Sequence, residues 1–328
     1  MRRTVLLLTT MAVALIVASG IALAQSQLDQ QQPLDDGGYA LVNETATTEI
    51  AQTFTAGVTG TLDKVSLDVG CCADDSGNIG GTPAGGGILV GLSSGVDSSG
   101  LPSGLKAFAT IPASDFSTDG TLHWEDTLTF IPVSSSGTYV VAGKQYAISV
   151  SVNHCHSAFA TTACPPLSAS GYQWGWTTPS AYSGGNALVF SGSGWQPKND
   201  YDFAFKTYVT PDTTPPRVIS TRPHNGATGV APLARVRATF SEDMMASTIN
   251  DTTFKLYEKG ATIPVKARVA YDANTKTARL NPTKELKPHT RYRAVVSVRA
   301  KDMAGNRLDQ RPGVEGDQPK RWHFTVAK

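Results

Sequence analysis

"ARVRATF", residues 234–240, alternates between two kinds of side chain. Ala234, Val236, Ala238 and Phe240 fall on one side of an extended chain, and Arg235, Arg237 and Thr239 on the other. Successive side chains of a strand point to opposite faces, so this stretch reads as a half-buried antiparallel strand with one wet face. "RVIST" (217–221) precedes it across the Gly/Asn turn of "RPHNGATGV" (222–230). "IPVKARVA" (263–270), "TARLN" (277–281), "YRAVVSV" (292–298) and "WHFTV" (322–326) continue the series. Strands separated by turns over roughly 100 residues predict a two-sheet sandwich.

"LKPHTRY" (286–292) narrows the choice. The spacing of Leu286, Pro288, Thr290 and Tyr292 resembles the tyrosine corner of immunoglobulin-like and fibronectin-type sandwiches, whose hydroxyl bonds back to upstream backbone. With "TPPRVISTRPHNGATGV", "ATFSEDM", "YDANTKTARLNP", "KDMAGN" and the closing "WHFTV", the region from about 213 to 327 resembles the bacterial Ig-like domain of surface-layer and exported multidomain proteins. That resemblance implies a seven-stranded spacer, stalk or adhesion module without catalytic activity. "DQRPGVEGDQPKR" (309–321) reads as an enlarged loop before the last strand.

Upstream, residues 37–209 read as about ten short strands, among them "EIAQTFTA", "TLDKVSLDV", "KQYAISVSV", "GYQWGWT" and "YDFAFKTYV". This predicts a jelly-roll-like β-sandwich. The elements "AQTFTA", "GLPSGL", "VVAGKQYAISV", "AYSGG" and "DFAFKTYV" loosely resemble exported jelly-roll modules of the choice-of-anchor or carbohydrate-binding type. The chain is therefore expected to be all-β: a jelly-roll-like sandwich at 37–209, a linker at 210–216 and an Ig-like sandwich at 217–328. A flexible segment (25–36) and a signal peptide (1–24) come first. Arg2 and Arg3, a long apolar run and Ala22-Leu23-Ala24 form the export signal. The run is also about long enough to span a bilayer, so a retained anchor is the competing reading. The mature chain is expected outside the membrane, secreted or at the cell surface.

Net charge divides at the linker. Residues 26–212 hold 17 acidic and 5 basic side chains, and residues 213–328 hold 10 acidic and 21 basic. The "TPDTTPPR" stretch (210–217) at the break is stiffened by its prolines. Arg235 with Arg237, Lys266 with Arg268, and Arg291 with Arg293 and Arg299 are expected to point outward. Such charges ordinarily form a solvated surface. Two other readings are a basic face for a polysaccharide or anionic cell-wall polymer, and electrostatic docking against the acidic N-terminal domain. An exported chain without a recognition motif does not suit nucleic acid.

Four features are candidates for sites. Tyr172, Trp174 and Trp176 share one face of "GYQWGWT" and Trp195 sits in a Gly/Ser-rich turn. A sugar can stack on such rings, although aromatic stripes usually fill cores. Asp200 and Asp202 are candidate ligands of a structural calcium, with Asp35 and Asp36 as further donors; plain surface acids are the competing reading. No other cofactor is expected. Glu242 with Asp243, and Asp302 with Asn306 around a glycine turn, likewise offer loop oxygens, against a reading as turn chemistry. The cysteines Cys71, Cys72, Cys155 and Cys164 make two disulfides most simply in an oxidising compartment. A bond between the adjacent Cys71 and Cys72 needs a strained ring, so each is expected to pair with Cys155 or Cys164. A zinc site of His154, His156 and two thiolates is the alternative.

Little points to catalysis. "GLSSG" (91–95) fits the nucleophile-elbow expression, but "VDSSGLPSG" after it is no helix. Glutamate is scarce, and Glu125 in "HWEDTL" reads as the only one inside a plausible N-terminal strand. The expectation is a non-enzymatic protein, with a carbohydrate-binding protein second and a hydrolase on a β scaffold third.

Overall fold

A computed structural model describes residues 24–33, 38–42, 49–73, 87–116, 123–128, 130–133, 137–152, 171–191 and 194–328. Among these residues, fifteen strands form the N-terminal part, the last of them running through the first two positions of the expected linker: β1 (Gln27–Gln32), β2 (Gly38–Val42), β3 (Glu49–Thr55), β4 (Gly60–Ala73), β5 (Ile88–Val96), β6 (Pro102–Ile111), β7 (His123–Leu128), β8 (Ile131–Pro132), β9 (Tyr139–Val140), β10 (Gln145–Val152), β11 (Gly171–Thr177), β12 (Ala187–Ser191), β13 (Gly194–Lys198), β14 (Asp202–Phe203) and β15 (Phe205–Pro211). They build two sheets, β1-β15-β4-β11-β14 with β2, β7 and β9 paired at its side, and β13-β12-β3-β10-β5-β6-β8. Ile50, Phe54, Val90 and Ile148 of one sheet share a core with Leu67, Trp174, Phe203 and Phe205 of the other. This is a β-sandwich: Tyr146, Ile148 and Val150 of "KQYAISVSV" join its core, while Ala147, Ser149 and Ser151 between them are buried as well, so this central strand is covered on both faces.

The C-terminal sandwich follows with β16 (Val218–Arg222), β17 (Ala227–Val230), β18 (Val236–Phe240), β19 (Phe254–Glu258), β20 (Ala267–Asp272), β21 (Thr277–Pro282), β22 (Arg291–Val296) and β23 (Lys320–Val326). Its sheets run β16-β18-β21-β20 and β17-β23-β22-β19. Val236, Ala238 and Phe240 are buried while Arg237 is exposed, as the alternation in "ARVRATF" requires. Trp322, Phe324, Phe254 and Leu280 complete the core between the sheets. Arg299 is exposed as expected, but it lies in the turn beyond β22, which ends at Val296, rather than on the strand with Arg291 and Arg293.

The tyrosine corner is present. The Tyr292 hydroxyl accepts the Lys287 backbone N–H at 2.9 Å. The N-terminal sandwich repeats the device, since the Tyr146 hydroxyl accepts the Val141 N–H at 3.0 Å with the same five-residue offset. In both, a phenol at the start of a core strand satisfies a backbone donor that the incoming turn leaves orphaned. The enlarged loop before β23 closes on Asp309, whose carboxylate accepts the N–H groups of Arg311 and Gln318.

Candidate functional site

The residues that bring the two sandwiches together centre on Asp212 of the linker. Its N–H donates to Thr59 O (3.0 Å), and its carboxylate accepts the Tyr139 hydroxyl (2.7 Å). Its carbonyl accepts Asn306 Nδ2 (2.9 Å) from the C-terminal sandwich. Thr59 Oγ1 accepts the Ala142 N–H (2.9 Å) and reaches Met303 O (3.4 Å) across the junction. Gly60 lies so near the Thr210 carbonyl that a side chain there would collide with it. Among the described residues no ion pair crosses between the sandwiches. Hydrogen bonds therefore build this contact, while the long-range charge split remains in the background.

Three carboxylates converge at this point. Oxygens of Asp212, Glu242 and Asp302 all lie within 4.8 Å of one another. Asp302 is fully buried, and its carboxylate accepts both the Asn306 N–H (2.8 Å) and Asn306 Nδ2 (2.9 Å). Gly305 completes that turn at φ +90, a conformation glycine takes without a steric penalty. Glu242 accepts the Ser241 hydroxyl (3.2 Å). Burial, then the charges of Asp212 and Asp302, push its carboxyl up to about 7. Burial also raises Asp302, against the Asn306 bonds that favour its charged form. Burial and the bond to Asp212 raise the Tyr139 phenol, which stays a proton donor at ordinary pH. Carboxylates packed this closely do not all ionise freely, so the group can share a proton or hold a hard cation.

The sequence motifs around Glu242 and Asp302 thus meet, and the turn reading of Asp302 and Gly305 also holds. Asp243 stays outside, exposed and 4.0 Å from Lys276. Asp212 was not among the residues singled out from sequence. Its signal was an acid inside the Pro/Thr linker, where both domains must pass.

The other candidates fall differently. Tyr172 and Trp174 are 1% and 0% exposed. Trp174 stacks on Phe203 (4.6 Å between ring centres) and donates its indole N–H to Ala204 O at 2.8 Å. These two rings are core and offer no platform. Trp176 is half-buried and packs edge-on against Tyr201 at 3.8 Å. Trp195 is half-buried on the edge strand β13, against Phe190 at 5.3 Å. Gln173, between the rings, is buried too, so neither side of that strand is open there.

Asp200 is exposed, but Asp202 is fully buried. One Asp202 oxygen accepts Ser180 Oγ (2.7 Å) and the N–H groups of Ala181 and Tyr182 (both 2.9 Å). The other accepts Gln52 Nε2 at 3.2 Å. Protein donors occupy this carboxylate, so it anchors a turn and is not a free calcium ligand. Cys71 is buried and disulfide-bonded. Cys155, Cys164, His154, His156, Asp35 and Asp36 lie outside the described residues, as does the side chain of Cys72. "GLSSG" falls inside β5, where Ser93 Oγ accepts the Ala147 N–H (2.7 Å). That is a mid-strand hydroxyl rather than a strand-to-helix elbow.

Comparison with known proteins agrees with the C-terminal fold. Residues 212–326, which include the C-terminal sandwich, match the model of the bacterial Ig-like domain family. No curated protein matches the chain. Among solved structures, the N-terminal part of the bacterial S-layer protein SbsC is 20% identical over 35% of this chain and 24% of that one, with a TM-score of 0.27. The S-layer protein rSbsC(31-844) matches at the same identity and TM-score over 14% of its length. The chain thus spans less than a quarter of the length of either.

Proposed function

We propose that this is an exported, non-catalytic cell-surface protein in which the Ig-like domain is a stiff spacer carrying the N-terminal sandwich. The supporting observation is the junction at Asp212. One linker residue bonds through its N–H and carboxylate to the N-terminal sandwich and through its carbonyl to the C-terminal one. A flexible tether needs none of these bonds, whereas a spacer that holds its load at a set angle does. The N-terminal sandwich would present its loops as the distal, binding end. In an oxidising compartment Cys71 and Cys72 would pair with Cys155 and Cys164, tying the end of strand β4 to the segment that follows β10.

Surface labelling of intact producing cells tests this reading. A membrane-impermeant amine reagent should modify the protein in whole cells, and external protease should remove it. Protection from both until the cells are lysed would reject an extracytoplasmic role. The carbohydrate-platform reading would rest on the half-buried Trp176 and Trp195, because Tyr172 and Trp174 are core.

A further inference from the structure

The outward face of the β16-β18-β21-β20 sheet gathers arginines that neither the core nor the junction uses. The register places Arg222 opposite Arg237, and Arg237 opposite Arg279. Arg235 precedes Arg237 by two residues, and Arg268 pairs with Asn281, two residues beyond Arg279. Arg222, Arg235, Arg237 and Arg268 are exposed, and Arg279 is half-buried. With strands about 4.8 Å apart and same-face residues about 7 Å apart along a strand, five guanidinium groups arise from roughly 14 by 7 Å of backbone.

Like charges set opposite one another weaken a sheet, so this arrangement works against its own fold. Asp272 answers one of them, 3.2 Å from Arg279. Among the described residues no ion pair involves the other four arginines. Arg279 Nε and Asn281 Oδ1 are buried without a hydrogen-bond partner. At the β20 edge the face meets an open cleft of about 610 Å³ between the edge strands β19 and β20. There Lys255, Lys266 and Lys284 join Arg268 around a single acid, Asp251.

We propose that this arginine face, with the adjoining cleft, binds a linear anionic polysaccharide, a role beyond that of a spacer. A guanidinium fork takes carboxylate, sulfate or phosphate oxygens two at a time, which a lysine cannot do. A flat set of forks at sub-nanometre spacing suits a polymer with one charge per sugar better than a single small anion. The outward neighbours Ser220, Thr239, Thr277 and Ala270 are small or polar, and Ile219 at the β16 bulge is a lone exposed apolar side chain among the described residues of these four strands, not the cluster on which a protein interface is centred.

The test uses the full chain on immobilised heparin, polygalacturonate and neutral dextran, at low and rising salt. Two triple variants accompany it. R222Q/R237Q/R268Q removes three of the five arginines of the proposed face, and R291Q/R293Q/R321Q removes the same charge from the opposite sheet. Circular dichroism checks that both remain folded. The expected result is salt-sensitive retention by one or both polyanions and none by dextran. The face variant should bind about tenfold more weakly or worse, with the opposite-sheet variant within about twofold of the parent. Preference between heparin and polygalacturonate identifies sulfate or carboxylate as the group taken. Three results would overturn the proposal: no retention at low salt, equal losses in the two variants, or salt-reversible self-association through this face with no polymer retained.

Discussion

Replacing Glu242 by Gln should stabilise the Ig-like domain at alkaline pH and do almost nothing in acid. Glu242 is half-buried beside Asp212 and Asp302, and its carboxyl moves from 4.5 to about 7. A difference of that size corresponds to about 3 kcal/mol against the ionised form. Solvent reaches part of this side chain, so screening reduces the expected effect to about 1–2 kcal/mol. The raised value fixes the sign. Between 4.5 and about 7 the folded chain holds a proton that the unfolded chain has released. Stability therefore rises as pH falls through 7 and levels off below 4.5. Burial raises the neighbouring Asp302 as well, so the transition is broader than a single-site curve. The assay is hydrogen exchange of the β22 amides in denaturant, with chelator present, at about pH 8 and about pH 5. The Gln variant should gain about 1–2 kcal/mol at the higher pH and lose the parent's pH dependence. A variant that is destabilised at about pH 8, or that keeps the parent's profile, would refute the electrostatic reasoning.

Other substitutions probe single features. Trp174→Ala should cost the N-terminal sandwich about 3–5 kcal/mol by emptying a site stacked on Phe203, read as a lower melting temperature. Asp202→Ala should cost about 2–3 kcal/mol and speed exchange at Ala181 and Tyr182, whose N–H groups lose their acceptor. Tyr292→Phe should cost about 1 kcal/mol through the orphaned Lys287 N–H, measured by denaturant unfolding. Peptide mapping of unreduced protein should link the Cys71 peptide to one containing Cys155 or Cys164, and a free Cys71 thiol would remove the loop staple.

The Ig-like half was legible because its signals are local. Alternation in "ARVRATF" and the spacing in "LKPHTRY" each fix burial or a bond within a few residues, and Val236 and Tyr292 behave accordingly. The aromatic row in "GYQWGWT" was ambiguous because period-two spacing says which residues share a face, not which face is covered. Gln173 is buried on the opposite side of Trp174, a consequence of neighbours distant in sequence. Asp202 resembles a surface acid until Ser180, Ala181 and Tyr182 fold back upon it. The acid trio draws on positions 212, 242 and 302, so no window of sequence contains it. The arginine face was half visible: alternation sends Arg235 and Arg237 outward, while register alone sets Arg222 and Arg279 beside them.

Residual dipolar couplings of the full chain address the stiff junction most directly, because each sandwich reports its own orientation. With Asp212 bonded to Thr59, Tyr139 and Asn306, β4, β10 and β15 should share one alignment tensor with β18, β21 and β22. Tyr139→Phe should begin to separate the two. Independent tensors for the two sandwiches in the parent protein would contradict the spacer account.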